Sequence, residues 1–399
     1  MKKYKLAVYA IHPIMYQTPI FREMESYIVD NKLDMDLTVL YGDDLSLRDV
    51  YFKETNVTFK PDVPFLLEGY KYKFLKNYAR DSRAGFLSRV NFSVFQEIKS
   101  ENYDAVLIHG YESLTAWMTL IAAKMNKKKV IWRGESVLRG IENASNIKQR
   151  VKRAVLKRFF GYCDSILYSC SGNKEYLRFY GVDEEKLFSI PCAVNNEYFQ
   201  EQKQLTLNSQ ASLKDELGID KDNMVVLFSA RFTQRKRPLD LLQSLTKIDH
   251  SKITVLFVGD GPERANMESF SAEHKINAVF VGFRNQSEIS AYYAIADINI
   301  VISDYDPSPK AMNEAMNFAL PVIVTEVVGT ARDLVFDEDN GYVISVGDID
   351  TLSKKIDGLQ KDRELIEKMG QRSLEIISEW NYKSNVIGIL DAIDYASKK

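Results

Sequence analysis

Short apolar runs rich in β-branched residues alternate with helical patterns along the chain, and this alternation limits the possible folds more than any other feature. The runs form two series, one in each half of the 399 residues. Strands that are apolar throughout and separated by helices form parallel sheets covered on both faces. Two series therefore predict an α/β protein with two Rossmann-like domains and a cleft between them, with ligands outside the carboxyl ends of the strands. The predicted strands contain LAVYAI, DLTVLY, AVLIHG, KVIWRG and SILYSC, then VVLFSA, ITVLFVG, AVFVGF, INIVIS, PVIVTE and GYVIS.

The boundary between the two domains is predicted at a polar stretch that follows Asn195. This stretch, from about residue 200 to residue 223, precedes the first strand of the second series. The first domain is therefore expected to cover residues 1–200 and the second residues 201–379. Each domain is long enough to bury a core of its own.

The overall composition excludes several classes of protein. A net charge of −2 favours no particular partner, and no nucleic acid is expected. Three cysteines without CxxC spacing fit a reducing cytoplasm, and the four histidines lack metal-ligand spacing. No signal peptide is recognised at the start, and the longest apolar stretch, 116–123, is far shorter than the roughly 20 residues that cross a bilayer. The pattern predicts a cytoplasmic protein, soluble or bound to the surface of a membrane.

The segment 303–335 carries the strongest indication of function. It reads as the end of a strand, a loop with Asp306, a helix with Glu314, a second strand and a second loop. Prolines 307 and 309 lead into the helix, where a missing N–H is no loss. The N–H groups of a first helical turn and the helix dipole form an anion site. A phosphate bound there would place Glu314 beside a ribose, whose hydroxyls pair well with a carboxylate. An alternative is that Lys310, Glu314 and Asn317 form only the solvated face of an amphipathic helix.

This segment resembles the Glu-x7-Glu region of the retaining GT-B glycosyltransferases of group 1, or family 4. The resemblance implies that Asp306 binds the donor sugar and Glu314 the nucleotide ribose, and that Pro309, Lys310 and Ala311 line the donor site. The chain departs from the family in two positions. Asp306 is one methylene shorter than the usual glutamate, and Pro309 replaces a frequent glycine. The ribose contact is therefore the firmer expectation, and a different donor sugar is compatible with the change.

A basic pair follows the first strand of the second series. Arg231 and Lys236 match the spacing of the family's Arg-x4-Lys pair, which the resemblance implies clamps the donor diphosphate. An arginine binds phosphate oxygens in a fork and a lysine supplies a point charge, and both stabilise a leaving diphosphate. The alternative is a solvated basic turn, since Arg235 and Arg237 stand beside them. With this pair, no metal is required, although residues 304–306 also match an Asp-x-Asp metal triplet, which we interpret as the end of a strand.

The resemblance extends to other loops of the second domain. Residues 259–262, Gly-Asp-Gly-Pro, match a family turn in which Gly261 lies at the donor. An ordinary turn without a binding role is also compatible with these residues. Phe283 and Arg284 follow the next strand at the position that binds the nucleobase, and Gly329 and Thr330 match the loop on the phosphate side. The final helix, about 380–399, resembles the family's terminal helix, which packs back onto the first domain.

The first domain would bind the acceptor. His109 ends a strand at a position where the family often has a histidine near the donor sugar, but a buried hydrogen-bonding histidine is equally compatible. Glu135 ends the next strand with Arg133, and either contacts the acceptor or forms an ion pair. His12, Tyr16 and Gln17, in the first loop, are predicted to meet the acceptor from their position alone.

Residues 124–158 contain twelve lysines and arginines against two acids. Within them, the segment 147–158 is a basic amphipathic pattern in which Ile147, Val151 and Val155 fall on one stripe with Phe159. One interpretation is a helix packed on the core with a solvated basic face. The other is a surface that docks on anionic lipid headgroups, which would suit a lipid-linked acceptor.

The sequence therefore predicts a retaining glycosyltransferase that transfers a hexose-type sugar from a UDP- or GDP-linked donor, without a metal. The acceptor would be a hydroxyl of a glycan or lipid-linked glycan, in bacterial surface polysaccharide synthesis such as capsule or lipopolysaccharide. Two alternatives stay open: a noncatalytic subunit that binds sugar nucleotides, and a GT-B sugar-nucleotide epimerase. A dehydrogenase is disfavoured, since the first loop lacks a GxGxxG fingerprint.

Overall fold

The structure is a computed structural model that describes residues 3–48, 50–52, 57–59, 66–80, 85–139 and 146–399. The strands in these residues are β1 Tyr4–Ala10, β2 Met35–Tyr41, β3 Val50–Phe52, β4 Val57–Phe59, β5 Tyr72–Phe74, β6 Ala105–His109, β7 Lys129–Gly134, β8 Ser165–Tyr168, β9 Leu187–Ser189, β10 Met224–Ser229, β11 Ile253–Val258, β12 Ala278–Gly282, β13 Ile298–Val301, β14 Val322–Thr325 and β15 Gly341–Ile344.

The helices connect and cover these strands. They are α1 Thr18–Asp30, α2 Val94–Ser100, α3 Leu114–Met125, α4 Ile147–Gly161, α5 Ser171–Phe179, α6 Asn196–Thr206, α7 Gln210–Glu216, α8 Pro238–Leu245, α9 Arg264–Glu273, α10 Gln286–Ala294, α11 Lys310–Asn317, α12 Ala331–Leu334, α13 Ile349–Lys361, α14 Arg363–Ser378 and α15 Tyr382–Lys398. Short 3₁₀ helices lie at Leu45–Leu47, Phe86–Ser88, Glu184–Lys186, Leu207–Ser209 and Gln234–Lys236.

The chain divides into two compact units, each built on one parallel sheet. The first unit comprises Met1–Val50, Thr58–Cys192 and Tyr382–Lys399, and the second comprises Tyr51–Val57 and Ala193–Asn381. The first sheet has seven strands in the order β5-β2-β1-β6-β7-β8-β9. The second has six in the order β12-β11-β10-β13-β14-β15, and β3 pairs with β4 separately. The predicted pair of Rossmann-like α/β folds is confirmed.

Neighbouring residues of β1 belong to two different cores, one on each face of the first sheet. Leu6 and Val8 pack with Phe21 of α1 and Val386 of α15, whereas Tyr9 packs with Trp132 and other residues of the opposite face. A strand buried on both faces has to be apolar at successive positions, because successive side chains point to opposite sides. This is why an unbroken apolar run, rather than an alternating one, marks the strands of this protein.

Every one of the eleven predicted apolar runs contains a strand, but two edge strands were not predicted. β5 and β9 have three residues each and form the two edges of the first sheet. Tyr72 and Phe74 of β5 are 39% and 40% exposed. An edge strand needs no continuous apolar run, because only part of it is buried, and so its sequence gives little indication of its structure.

One detail differs from the predicted domain limits. The main part of the second unit begins at Ala193 instead of residue 201, and the polar stretch after residue 200 folds mainly as α6 and α7 of that unit. The last helix, α15, belongs to the first unit, where it contacts α1 and strands β7, β8 and β9. Among the described residues, none of the helices has both the length and the apolar character needed to cross a membrane.

Candidate functional site

The candidate site lies in the second unit at the point where the strand order of its sheet reverses. β10 is flanked by β11 and β13, which continue the sheet in opposite directions. In parallel α/β sheets, ligands bind at the carboxyl ends of the strands beside such a reversal. The loop after β10 carries Arg231 and Lys236, and the loop after β13 carries Asp306. These two loops are joined by a hydrogen bond of 2.9 Å from the Asp304 amide to the Arg235 carbonyl.

Lys236 and Asp306 form an ion pair between these loops. The ammonium group of Lys236 donates to Oδ2 of Asp306, and the two side chains are only 14% and 10% exposed. The Ser308 amide donates to Oδ1 of the same carboxylate at 3.3 Å. An ammonium group held this way is already oriented, and it can exchange one anionic partner for another at the same place.

A third loop, after β14, closes around Asp306. The Gly329 amide donates to the Asp306 carbonyl at 2.8 Å, and Asp306 pairs with Val328 in an isolated parallel bridge. Thr330 is fully buried, and its hydroxyl has no hydrogen-bond partner within the part of the chain that the structure describes. Three loops that the sequence separates by up to a hundred residues therefore meet at one residue, Asp306.

Glu314 lies on α11 and is buried, with 3% of its surface exposed. Its Oε2 accepts a hydrogen bond of 2.8 Å from the hydroxyl of Tyr293, a fully buried residue of α10. Asn317, on the same stripe, is also buried. The interpretation of this stripe as a solvated helix face is therefore wrong for Glu314 and Asn317, because α11 is covered on the side that carries them.

Asn317 anchors α11 to α6. Its amide nitrogen donates to the Asn196 side chain at 3.0 Å and to the Asn313 carbonyl at 2.9 Å, and its oxygen accepts from Gln200 at 3.0 Å. The polar residues of the stripe thus have different roles. Asn317 holds the helix in place, whereas Glu314 presents a carboxylate.

The start of α11 matches the sequence expectation. Pro309 occupies the N-cap position, and the helix begins at Lys310, whose ammonium group donates to the Ser308 hydroxyl at 3.3 Å. Ala311 follows and is half-buried. The first N–H groups of an α-helix have no intrahelical acceptors, and together with the helix dipole they attract an anion.

The Gly259–Gly261 turn supports the loop that carries the basic pair. A Cβ atom at Gly259 would lie 2.0 Å from the Ala230 carbonyl oxygen, and one at Gly261 would lie 2.3 Å from that of Phe232. Gly259 also has a φ of 136°, which side chains disfavour. Both glycines are needed because the turn packs directly against the backbone of residues 230–232.

The remaining predicted donor residues follow strands β10 and β12 of the same sheet. Arg231 is exposed, five residues before Lys236. Phe283 is 43% exposed, and the Arg284 guanidinium lies 5.3 Å from the ring centre of Tyr292. Among the described residues, no three or more His, Cys, Asp or Glu side chains are grouped so that they could hold a metal ion.

His109 and Glu135 lie in the first unit, at the ends of β6 and β7. Glu135 accepts a hydrogen bond of 3.1 Å from Arg133, so the ion-pair interpretation of this residue is observed. His109 is buried, and its Nδ1 has no partner within the described residues. Burial, reinforced by the nearby Arg133 guanidinium, lowers the pKa of His109 well below its ordinary value. The ring is therefore neutral at physiological pH.

His12, Tyr16 and Gln17 follow β1 and are all half-buried. The His12 Nδ1 lies 3.2 Å from the Pro13 carbonyl oxygen, and burial lowers the pKa of the ring. Gln17 is the N-cap residue of α1, although its side chain makes no capping bond.

Two residues of the site were not predicted as functional. Tyr293 holds Glu314, and Arg235, interpreted above as part of a basic turn, donates from its guanidinium to the Tyr305 carbonyl. A buried tyrosine in a helix gives no sequence signal of its own, because most such residues only fill the core. The hydrogen-bond partner of each of these two residues lies at least 21 residues away in the sequence, so the local pattern does not reveal the contact.

Comparison with known families assigns both halves of the chain. Residues 209–375 match the family model described as glycosyl transferases group 1, and residues 55–198 match that described as glycosyltransferase family 4. The chain belongs to the group 1 / family 4 glycosyltransferases. The first match contains the basic pair, Asp306 and Glu314, and the second contains His109 and Glu135.

Individual members of this family are only distantly similar. N-acetyl-alpha-D-glucosaminyl L-malate synthase of Bacillus anthracis is 27% identical over 184 residues, which are 46% of this chain and 48% of the synthase. The chain spans about half the length of several curated relatives of this kind. The Campylobacter jejuni enzyme named GalNAc-alpha-(1->4)-GalNAc-alpha-(1->3)-diNAcBac-PP-undecaprenol alpha-1,4-N-acetyl-D-galactosaminyltransferase is 23% identical, over 65% of this chain and 67% of its own.

Solved structures agree in fold over nearly the whole chain. Anabaena HepE, determined in complex with UDP, superposes with a TM-score of 0.74 at 16% identity and covers 98% of this chain and 99% of its own. At this identity the agreement concerns the fold, which is GT-B.

Proposed function

We propose that the protein is a retaining glycosyltransferase that moves a hexose-type sugar from a nucleotide-sugar donor to a hydroxyl of a glycan or lipid-linked glycan. The observation that carries this proposal is the buried Glu314 on α11, the helix that follows Asp306 of the Lys236–Asp306 pair. The Tyr293 hydroxyl of α10 holds its carboxylate by a hydrogen bond. Membership of the group 1 / family 4 glycosyltransferases supports the reaction class.

A buried carboxylate is costly unless a partner stabilises it. Burying an ionised group costs several kcal/mol, and hydrogen-bond donors offset this cost, as the Tyr293 hydroxyl does at Glu314. Two ribose hydroxyls would supply the donors that an ionised Glu314 favours, in charge-assisted hydrogen bonds. Glu314 lies on the same helix whose N-terminus would attract an anion, and this position supports a ligand that combines a diphosphate and a ribose.

Lys236 and Arg231 would neutralise the donor diphosphate. In the proposed reaction, the bond between the anomeric carbon and the diphosphate oxygen breaks, and the acceptor oxygen forms a new bond to that carbon on the same face. The acceptor proton passes to an oxygen of the departing phosphate, so no nucleophile of the protein is involved. The contribution of the protein is then to orient the reactants and to stabilise the charge of the leaving group, without a metal. Asp306 would bind the sugar.

The proposed donor is UDP- or GDP-linked, and the UDP complex of the structurally similar HepE supports a uridine nucleotide. The name of the Campylobacter relative includes an undecaprenol diphosphate, which supports a lipid-linked glycan acceptor in surface polysaccharide synthesis. Acceptor contacts are proposed for His12, Tyr16, Gln17 and Glu135 of the first unit. The three free, buried cysteines fit a reducing cytoplasm.

Calorimetric titration tests the proposal. Wild-type protein is titrated with UDP, GDP and ADP, and then with the sugar nucleotides of the base that binds. The Glu314→Gln variant keeps the shape but removes the charge, and it should lose at least tenfold in affinity. Glu367→Gln is a matched control, because Glu367 is exposed on α14 of the same unit. The absence of binding for every nucleotide, or equal affinities in wild type and Glu314→Gln, would contradict the assigned site.

Turnover separates the proposal from its two alternatives. Release of nucleoside diphosphate that depends on an acceptor supports a transferase. Binding without release or transfer would indicate a noncatalytic subunit, and isomerisation of the sugar without an acceptor would indicate an epimerase. The comparisons with known proteins support neither alternative.

A further inference from the structure

Helix α4 of the first unit is strongly basic and carries no acid. Its fifteen residues include six lysines and arginines, at positions 148, 150, 152, 153, 157 and 158, and no aspartate or glutamate. None of these six is paired with a carboxylate among the residues that the structure describes. Arg153 and Arg158 instead lie over the rings of Phe179 and Tyr162. This helix is therefore a concentrated positive surface in a chain whose net charge is −2.

The same helix turns an apolar row away from its own core. Ile147, Val151 and Val155 are 70%, 54% and 43% exposed, whereas Leu156 and Phe160 are buried. Nine residues separate Ile147 from Leu156, and nine separate Val151 from Phe160. Nine residues are about two and a half helical turns, so each of these exposed side chains lies opposite a buried one. Helix α4 does pack on the core, through Leu156, Phe159 and Phe160, and its basic face is solvated. Of the stripe predicted from the sequence, however, only the last member, Phe159, is buried.

A second apolar row lies on the neighbouring helix α3. Trp117 of α3 contacts Phe159 of α4, with ring centres 4.6 Å apart. One and two turns after Trp117, Ile121 and Met125 are 50% and 72% exposed. Single exposed apolar residues are ordinary, but five on two helices in contact form an unusual surface for a soluble protein.

From this arrangement we infer that the exposed face of α4 docks the protein on an anionic lipid bilayer. Ile147 and Val151 enter the boundary between headgroups and acyl chains, and the lysines and arginines on both sides of the row contact lipid phosphates. A nucleic acid would satisfy the positive charges but offers no apolar phase to the row between them, which favours the bilayer. This inference does not depend on the proposed function, since vesicle binding and nucleotide binding are measured separately.

Co-sedimentation of the full chain with vesicles tests this docking. The vesicles are phosphatidylcholine, alone or with about a third of phosphatidylglycerol. The charge variant is Lys148→Gln/Arg150→Gln/Lys152→Gln, and the apolar variant is Ile147→Gln/Val151→Gln. All five side chains are exposed, and unchanged thermal unfolding of each variant confirms its fold. The matched control, Lys221→Gln/Lys354→Gln/Lys368→Gln, neutralises three exposed lysines of the second unit.

Wild type should bind the anionic vesicles and not the neutral ones, more weakly as salt rises. At about 1 kcal/mol for each basic residue near an anionic surface, the charge variant should partition roughly 100-fold less. The partitioning of the apolar variant onto anionic vesicles should fall at least tenfold, and the control should bind them as wild type does. Equal loss in the control, or no preference for anionic vesicles, would overturn the docking. Vesicle binding that survives the apolar substitutions would also overturn it, in favour of a general polyanion surface such as one for nucleic acid.

Discussion

The hydroxyl of Tyr293 donates a 2.8 Å hydrogen bond to Oε2 of Glu314, and both residues are almost completely buried. Tyr293 also packs against Phe318, with ring centres 5.4 Å apart, so its ring is held on two sides. A carboxylate that accepts a hydrogen bond from a fixed donor has a defined orientation. We therefore regard Tyr293 as the positioning residue for the proposed ribose contact of Glu314.

Tyr293→Phe removes this hydroxyl and keeps the ring. A hydrogen bond to a charged group contributes about 1.5–3 kcal/mol, so the affinity for the bound nucleoside diphosphate should fall about tenfold or more. The dideoxyribose analogue of that nucleotide lacks the hydroxyls that Glu314 is proposed to bind. The ratio of the affinities for the nucleotide and its analogue should therefore be smaller when Glu314 is misplaced. Calorimetric titration with both ligands measures the ratio of affinities. Tyr292→Phe is the control, since the neighbouring Tyr292 is buried to a similar degree, and a ratio unchanged in Tyr293→Phe would contradict the positioning role.

Asp306→Asn should separate binding of the nucleotide from transfer of the sugar. Asp306 is paired with the ammonium group of Lys236, so a diphosphate that binds Lys236 competes with this carboxylate. Loss of this competing charge should tighten binding of the nucleoside diphosphate about tenfold, or ~1.4 kcal/mol, while transfer falls. Titration and turnover on the same preparation measure the two effects. Weaker binding in Asp306→Asn would show that the carboxylate supports the diphosphate site rather than competing with it.

Gly261→Ala should damage the basic loop without touching a charged residue. The new methyl group would lie 2.3 Å from the Phe232 carbonyl oxygen, so the loop with Arg231 and Lys236 must shift. Overpacking of this kind costs about 1–3 kcal/mol, and nucleotide affinity should fall with stability. Gly358→Ala, within α13, meets no atom within 4 Å and should be neutral or stabilising by up to about 1 kcal/mol. Thermal unfolding of both variants measures the difference in stability. A Gly261→Ala variant as stable as wild type would contradict the packing argument.

The stability of the first unit should depend on pH through His109. Burial lowers the pKa of this residue well below 6.5, so the folded state keeps the ring neutral while the unfolded chain binds a proton. Below pH 6.5 the unfolded state therefore binds more protons, and stability falls as pH falls, by up to about 1.4 kcal/mol per pH unit until the folded pKa is reached. Above pH 6.5 both states are neutral and this dependence disappears.

His109→Gln removes this titration. Between pH 7.5 and pH 5.5, the variant should lose less stability than wild type, whatever its stability at pH 7.5. Urea unfolding followed by tryptophan fluorescence measures the difference, because Trp117 and Trp132 lie in the first unit. His12 titrates in both proteins and cancels. Parallel pH profiles for the two proteins would show that folding does not lower the pKa of His109.

Much of the fold could be read from the pattern of apolar residues. Parallel strands buried on both faces require continuous apolar runs, and each such run became a strand of one of the two sheets. The short edge strands β5 and β9 and the helices α6 and α7 could not be read in this way. Their residues are partly exposed, and partial burial leaves no strong period in the sequence.

The candidate site was predictable where its residues are close in sequence. The spacing of Arg231 and Lys236 and of Asp306 and Glu314 placed them on two loops and a helix, in agreement with the structure. The contacts between them were not predictable, because Lys236 and Asp306 are 70 residues apart and Tyr293 and Glu314 are 21 apart. Which side chains meet depends on the order of strands in the sheet, which a linear pattern does not specify.

The sequence alone thus determined the α/β class, the family and the chemical groups of the site, because apolar runs and local motif spacing are properties of neighbouring residues. The tertiary structure decided which faces of the helices are covered. It buried Glu314 and Asn317 of the polar stripe of α11, where solvent was an equally good expectation, and it exposed the apolar row of α4, for which packing on the core was one of two expectations. An amphipathic pattern only says that a helix has two different faces. What each face meets is set by the elements packed against it, and this depends on long-range contacts.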